Sequence, residues 1–279
     1  MSRQNLMLPR SSRSRGLSRS RGLWQPALIA AAISSLAIVS ASAADLSTTL
    51  DDGVAAPTPA SPGWTFTVAP YAWMPALSGD VAYGPLKAHV QQDFSQILDN
   101  LDFAGMAVVE ARYDRFALFS DLLYMKMSKD EKLPLGFEAD VGIEMLQWTP
   151  AAAYSLVRND RATFDVMAGA RVWSVETSFG VYDQYVGLER QRTERWVDGI
   201  IGVKGQYSLT DSFFVSGWAL AGTGGSDFSW DLLGAVGYKV NDRFSAMAGY
   251  RAEGVDYRNG PFVFDAVIQG PILGGTIKF

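Results

Sequence analysis

The sequence predicts a single transmembrane antiparallel β-barrel of the up-and-down type, with about twelve strands, or ten as the alternative. Three observations predict it. Apolar and polar residues alternate with period two over long segments, the turns between those segments come in two lengths, and the chain alternates to its last residue, in "GPILGGTIKF". Period two is the signature of a strand with two different faces. Soluble domains, by contrast, usually end in a few polar, poorly ordered residues.

The barrel does not begin at residue 1. Residues 1–43 carry six arginines (Arg3, Arg10, Arg13, Arg15, Arg19, Arg21) and no acid, followed by the apolar run Ala27 to Val39 and an A-x-A site at Ala41, Ser42 and Ala43. Basic region, short apolar region and small-residue site together read as a secretory signal peptide. The run is shorter than the roughly 20 residues of a spanning helix. No two arginines are adjacent, which favours ordinary over twin-arginine export. Residues 44–62 contain three prolines and few large apolar groups, and read as a disordered periplasmic leader. The barrel is expected over 63–279.

Composition excludes several classes. Removing 1–43 leaves 18 Lys+Arg (24 less 6) against 29 Asp+Glu, a net charge of −11. Such a chain is a poor ligand for nucleic acid, whose binding rests on neutralising phosphates. There is no cysteine, hence no disulfide framework and no thiolate chemistry.

Each segment has an oily parity and a small or charged one. In "TFDVMAGARVWS", Phe164, Val166, Ala168, Ala170 and Val172 oppose Asp165, Met167, Gly169 and Arg171. In "WVDGIIGVKGQYSL", Val197, Ile201, Val203, Tyr207 and Leu209 oppose Asp198, Gly202 and Lys204. In "FSWDLLGAVGYKV", Phe228, Trp230, Leu232, Val236, Tyr238 and Val240 oppose Ser229, Asp231, Ala235 and Lys239. The oily parity suits lipid, and the mixture of glycine, alanine and single charges suits a crowded closed lumen.

Short turns recur at "RYDRF" (112–116), "VRNDRA" (157–162), "SLTDSF" (208–213) and "VNDRF" (240–244), with longer polar connections at 127–136, 179–192 and 222–227. Short turns at one end and longer loops at the other are the asymmetry of an outer-membrane barrel. Tyr154, Tyr207 and Tyr238 precede short turns, where an interfacial aromatic girdle belongs. Counting 79–93 as one strand gives eleven, and dividing it at Gly84–Pro85 gives twelve, the even number expected of bacterial barrels. Residues 95–103 have helical spacing and read as a short helix in a loop. In the last segment Phe264, Ala266 and Ile268 read as lipid-facing, although Leu273, Ile277 and Phe279 have the opposite parity. A one-residue bulge at Gly270–Pro271 would reconcile them.

A lipid-facing last strand ending in Phe resembles the terminal signature of Gram-negative outer-membrane proteins. Beyond it, "PYAWMPALSGDV", "FSQILDNLDFAGMAVVEARYDRF", "AGARVW", "ERWVDGIIG" and "GYKVNDRFSAMAGYR" resemble a family of uncharacterised proteobacterial outer-membrane β-barrels over nearly all of 64–279. The resemblance implies the outer membrane, its lipids and the barrel assembly machinery as surroundings. The machinery would read Leu273, Ile277 and Phe279. It implies no substrate and no catalytic residue.

The charges of the polar parity are the candidates for lumen lining: Glu110, Arg112, Asp121, Asp165, Arg171, Asp198, Lys204, Asp231 and Arg251. They would either pair across a filled interior or line a water-filled pore, preferring cations given the acidic excess. Of the tryptophans 64, 73, 148, 173, 196, 218 and 230, girdle positions suit all but Trp173 and Trp218, which share the parity of the lumen. His89 is the only histidine, with Asp93 and Ser95 near it in sequence. No G-x-S-x-G, Walker A, H-E-x-x-H or EF-hand loop occurs, so no cofactor or metal is expected. The expectations are therefore a non-enzymatic passive pore for small, cationic solutes, then a plugged structural or surface-interaction barrel, and last a lipid-modifying enzyme using His89.

Overall fold

Alternation with aromatic and branched residues on one parity produces strand over nearly the whole domain. The structure, a computed structural model, describes residues 63–83, 86–132, 138–182, 187–260 and 262–279. The signal peptide and leader expected over 1–62, and the turn expected at Gly84–Pro85, lie outside these residues. The elements are β1 (Trp64–Trp73), β2 (Ala76–Tyr83), β3 (Leu86–Gln92), α1 (Phe94–Asp99), β4 (Leu101–Tyr113), β5 (Phe116–Lys132) and β6 (Glu138–Arg158). They continue with β7 (Ala162–Tyr182), β8 (Gly187–Ser208), β9 (Phe213–Gly224), β10 (Phe228–Lys239), β11 (Phe244–Asn259) and β12 (Phe262–Lys278).

Each strand from β4 to β12 pairs antiparallel with the next, and β1 closes the circuit by pairing with both β4 and β12. Ten strands therefore form the closed wall. β2 carries the line of β1 further along β12, because Trp73 faces Ile272 and Ala76 faces Gln269 without a change of register. β3 folds back on β2 and, like it, stands outside the circuit. Both strand numbers read from the sequence thus have a counterpart, with twelve segments of which ten close. At the seam, the Phe279 amide donates to the Phe66 carbonyl at 2.8 Å. The terminal aromatic is held by the first strand.

Side-chain oxygens build the short turns. Asn159 accepts from the amides of Arg161 and Ala162, and Asn241 from those of Arg243 and Phe244. These are Asx turns, in which the side chain replaces a missing backbone partner. At the opposite end β5 pairs with β6 as far as Lys132 and Glu138, and β7 with β8 as far as Tyr182 and Gly187. Much of 127–136 and 179–192, expected as loop, is therefore hairpin strand. Polar sequence here accompanies full strand pairing, because the ladder is built by the backbone. The expected helix is shorter than 95–103: α1 ends at Asp99, capped at its start by the Asp93 carboxylate. The Gln96 amide, and then the Ser95 hydroxyl, hold that carboxyl below its ordinary range.

No bulge occurs at Gly270–Pro271. β11 and β12 keep one register from Phe244 opposite Ile277 to Asn259 opposite Phe262. Phe264, Ala266 and Ile268 face inward, Ile268 in the interior apolar cluster, Phe264 against it and Ala266 buried, while Asp265 and Gln269 face out. Oily side chains mark the lipid side only within the lipid; above it they mark the packed interior. Pro271 sits opposite Met74, at the break between β1 and β2, and its carbonyl accepts the Met74 amide at 2.9 Å. There a missing proline donor disturbs the ladder least.

A narrow ten-strand wall has to bend sharply, and inward-facing glycines allow it. A Cβ added at Gly249 would lie 2.7 Å from both Cα and Cβ of Ala235 on β10, and one at Gly202 2.8 Å from the Leu220 Cα on β9. Each strand is pressed against its neighbour where a side chain would intervene. Gly249→Val is expected to lower stability by about 1–3 kcal/mol through overpacking. Urea unfolding of the refolded protein in micelles, with wild type alongside, measures it.

Outward positions form a belt. Trp64, Tyr113, Phe116, Tyr154, Tyr207, Phe213, Tyr238 and Phe244 are all exposed around the short-turn end. Trp64 leans on Tyr113, Phe116 on Tyr154 and Phe213 on Tyr238, at ring-centre distances of 5.4, 5.1 and 5.1 Å. Higher up, exposed Phe103 and Phe228 stand ten residues above Tyr113 and Tyr238 on their strands, and exposed Trp148 and Tyr250 stand part-way, six residues above Tyr154 and Phe244, with Leu118, Val197, Ile201, Leu232, Val236 and Leu273 exposed over the same height. Tyr238 and Phe228 are ten residues apart on one strand. At about 3.3 Å per residue and a tilt of ~40° they are separated by about 25 Å, the height of the apolar band of outer-membrane barrels.

Candidate functional site

Inward positions recur every second residue, so each strand contributes one side chain to each level of the lumen. Read upward from the short turns, β7 supplies Asp165, Met167, Gly169, Arg171 and Trp173, and β5 supplies Ala117, Phe119, Asp121 and Leu123. The lumen is accordingly layered.

At the lowest level Arg112 bonds Asp165 (Nη2–Oδ2, 2.5 Å) and Glu110 (Nε–Oε1, 2.9 Å), and Lys204 bonds the other Glu110 oxygen. Ser155 donates to Asp165 at 2.6 Å. Above it lies an apolar floor of Ala117, Phe119, Ala151, Ala153, Met167, Ile200 and Leu220, against which Trp218 packs.

The third level is a cluster of charges buried from solvent. Arg171 bonds Asp231 at 2.7 Å, Glu253 at 2.6 Å and the Thr149 hydroxyl at 3.1 Å. Arg251 bonds both oxygens of Asp231 (3.2 and 2.8 Å), an oxygen of Asp121 (2.9 Å) and the Tyr71 hydroxyl (2.7 Å). Tyr71 in turn donates to Asp121 at 2.8 Å, and Gln147 to Glu253 at 2.5 Å. The Arg251 guanidinium lies between the rings of Trp73 and Trp218, 5.1 and 5.4 Å from their centres. Arg171 is 1% exposed, and Arg251 and Asp231 are 0% exposed. Charges so far from water persist only when paired and hydrogen-bonded. Three carboxylates face two guanidiniums, and the Glu253 Oε2 finds no hydrogen-bond donor among the described residues.

The top level is aromatic. Trp173 stacks on Trp196 at 5.4 Å, and Trp196 on Tyr257 at 4.1 Å, within a cluster that includes Trp73, Leu123, Ile268 and Ile272. Beside it, buried Asp198 accepts from the Ser226 amide (2.7 Å), the Ser226 hydroxyl (2.8 Å) and the Ser229 hydroxyl (3.3 Å).

All nine charged residues singled out in the sequence point inward, and they fall into three groups. Glu110, Arg112, Asp165 and Lys204 lie at the lowest level; Asp121, Arg171, Asp231 and Arg251 lie in the central cluster; Asp198 stands apart with its serines. Sequence reasoning missed Glu253, Tyr71, Gln147 and Thr149. Glu253 shares the parity of Arg251 two residues away, a signal that could have found it. Trp73 and Trp196, expected in the girdle, are buried inside, whereas Trp64, Trp148 and Trp230 face out. His89 faces outward on β3, its Nδ1 2.9 Å from the Asp80 carboxylate, with both side chains well exposed. Ser95 donates to Asp93 instead of approaching it. Among the described residues no group of three His, Asp or Glu is arranged to hold a metal ion.

No protein-family model and no curated protein matches the chain. Solved structures do. The outer membrane protease OmpT from Escherichia coli superimposes with a TM-score of 0.54, over 78% of this chain and 97% of that one, at 11% identity. The fold is that of an outer-membrane β-barrel. The translocator domain of the autotransporter NalP from Neisseria meningitidis follows with a TM-score of 0.36, over 79% and 90% of the two chains, at 11% identity. The attachment invasion locus protein Ail of Yersinia pestis also has 0.36, over 78% and 99%, at 10% identity. Identities this low concern architecture alone.

Proposed function

We propose that the chain is an outer-membrane barrel stoppered by its own side chains, serving as a structural or surface-interaction element and not as a through-pore. The observation that carries this reading is the central cluster. Tyr71, Asp121, Arg171, Asp231, Arg251 and Glu253 meet across the lumen from five strands, and the five charged groups are buried from solvent, with Tyr71 half-buried beside them. A conducting barrel keeps such groups hydrated. Here two apolar levels enclose them. The passive pore expected from the sequence gives way to its alternative on this ground.

The belt supports this location: aromatic residues at the short-turn end, others up to about 25 Å above them, and apolar residues between suit a lipid bilayer. Outer-membrane lipids are then its immediate partners. The outward-facing Leu273, Ile277 and Phe279 are its address to the assembly machinery. His89 is exposed and paired with Asp80, and among the described residues no hydrogen bond joins it to a hydroxyl, which favours a non-enzymatic role.

Residues 44–279, refolded and reconstituted in a planar bilayer under a salt gradient, test the reading. Silence is expected from protein whose gel mobility shifts on heating, the sign of a folded barrel. Discrete cation-selective steps from the same material would overturn it.

A further inference from the structure

Below the lowest ion-paired level the lumen widens into a cavity of about 620 Å³ that opens between the short turns. Its walls are polar: charged side chains predominate, joined by threonine, serine, glutamine and asparagine, with Phe214 and Met247 among the few apolar groups. Charge sets it apart from the rest of the molecule. The chain from residue 44 onward has 29 acids to 18 bases, yet the cavity inverts that ratio. Arg112 and Lys204 are neutralised by Asp165 and Glu110. Five further cations line it, Arg158, Lys239 and Lys278 from the walls and Arg161 and Arg243 from the turns, against only Asp160 and Asp242. Lys239 reaches the Ser208 hydroxyl at 3.4 Å, and none of the five is ion-paired among the described residues.

One of these cations is there because the backbone is irregular. β6 and β7 change register between Ser155 and Val157, so that Arg158 faces Thr163. Without the extra residue Arg158 would keep the outward parity of Tyr154; with it, the side chain turns into the cavity. Bulges commonly re-aim a side chain in this way. The vestibule thus brings together unpaired cations and neutral donors at the short-turn end of the lumen. Low-dielectric walls on all sides focus their field on whatever enters.

We propose that this vestibule binds a multiply charged phosphate anion presented from the short-turn side of the barrel. Arginine forks and lysine ammonium groups suit phosphate oxygens, and the threonine and serine hydroxyls supply neutral hydrogen bonds. The phosphate would come either from a soluble solute or from an anionic lipid headgroup at the rim.

The test is calorimetric titration of the full refolded barrel with inorganic tripolyphosphate. The barrel is held in nanodiscs of phosphatidylcholine alone or with phosphatidylglycerol. Saturable one-to-one binding that weakens with added salt is expected. Arg158→Gln/Lys239→Gln/Lys278→Gln should weaken it at least tenfold, while Arg190→Gln/Arg195→Gln at the far end should leave it unchanged. Equal affinity in both discs supports a soluble phosphate, and competition by phosphatidylglycerol supports a headgroup. Absence of saturable binding by the wild-type protein overturns the proposal, as does a folded triple variant that binds as tightly as wild type. The wild-type titration alone decides the first of these, so the proposal stays testable if the triple variant does not refold.

Discussion

Arg251→Met is expected to destabilise the barrel by about 3–5 kcal/mol, the range for removing one partner of a buried ion pair. The side chain is 0% exposed and bonds Asp231, Asp121 and Tyr71 at once. Methionine fills much of the space between Trp73 and Trp218, so little of the loss is cavity. What remains is three carboxylates facing Arg171 alone, in a place water does not reach. Urea unfolding in lipid vesicles, followed by tryptophan fluorescence, measures the difference. A second variant separates charge from packing: Arg251→Met/Asp231→Leu removes one charge of each sign and should recover more than half of the loss. A buried pair replaced by apolar groups is often close to neutral, whereas a broken pair is not. A double variant as unstable as the single one would mean that the cluster is held by shape and not by charge balance.

The outer face of the barrel was legible in the sequence because lipid imposes one rule on every outward position. Val197, Ile201, Leu232 and Val236 could be assigned from alternation alone, and all are exposed. The rule fails where the lipid ends. Phe264, Ala266 and Ile268 obey the interior instead, because their half of β12 stands above the belt. Trp73 and Trp196 were misplaced for a related reason: a tryptophan read singly looks the same in a girdle and in a core, whether it ends its strand, as Trp73 does, or sits mid-strand, as Trp196 does. The parity that Trp196 shares with Asp198 and Lys204 marks the difference. The parity of the charges was readable too, but their partners were not. Arg171 meets Glu253 across 82 residues of sequence, and only the closure of the wall brings β7 opposite β11. Alternation says which way a side chain points, and the circumference decides what it meets.

On the proposed stoppered reading, in which several levels of side chains fill the lumen, loss of one level should cost stability without opening a path. Trp173→Ala removes the largest fully buried side chain, strips the stacking partner of Trp196 and is expected to cost about 3–5 kcal/mol. Yet reconstituted Trp173→Ala should remain electrically silent. Below the gap it leaves, the Arg171–Asp231–Arg251 cluster is intact, and Phe119, Met167, Ile200 and Leu220 still close the floor. Unfolding and conductance should therefore separate: a lower urea midpoint, an unchanged bilayer trace. Discrete steps from this single variant would mean that the aromatic level alone holds the seal. The charge cluster would then be wall lining within reach of water, and the case for a stoppered barrel would fall with it.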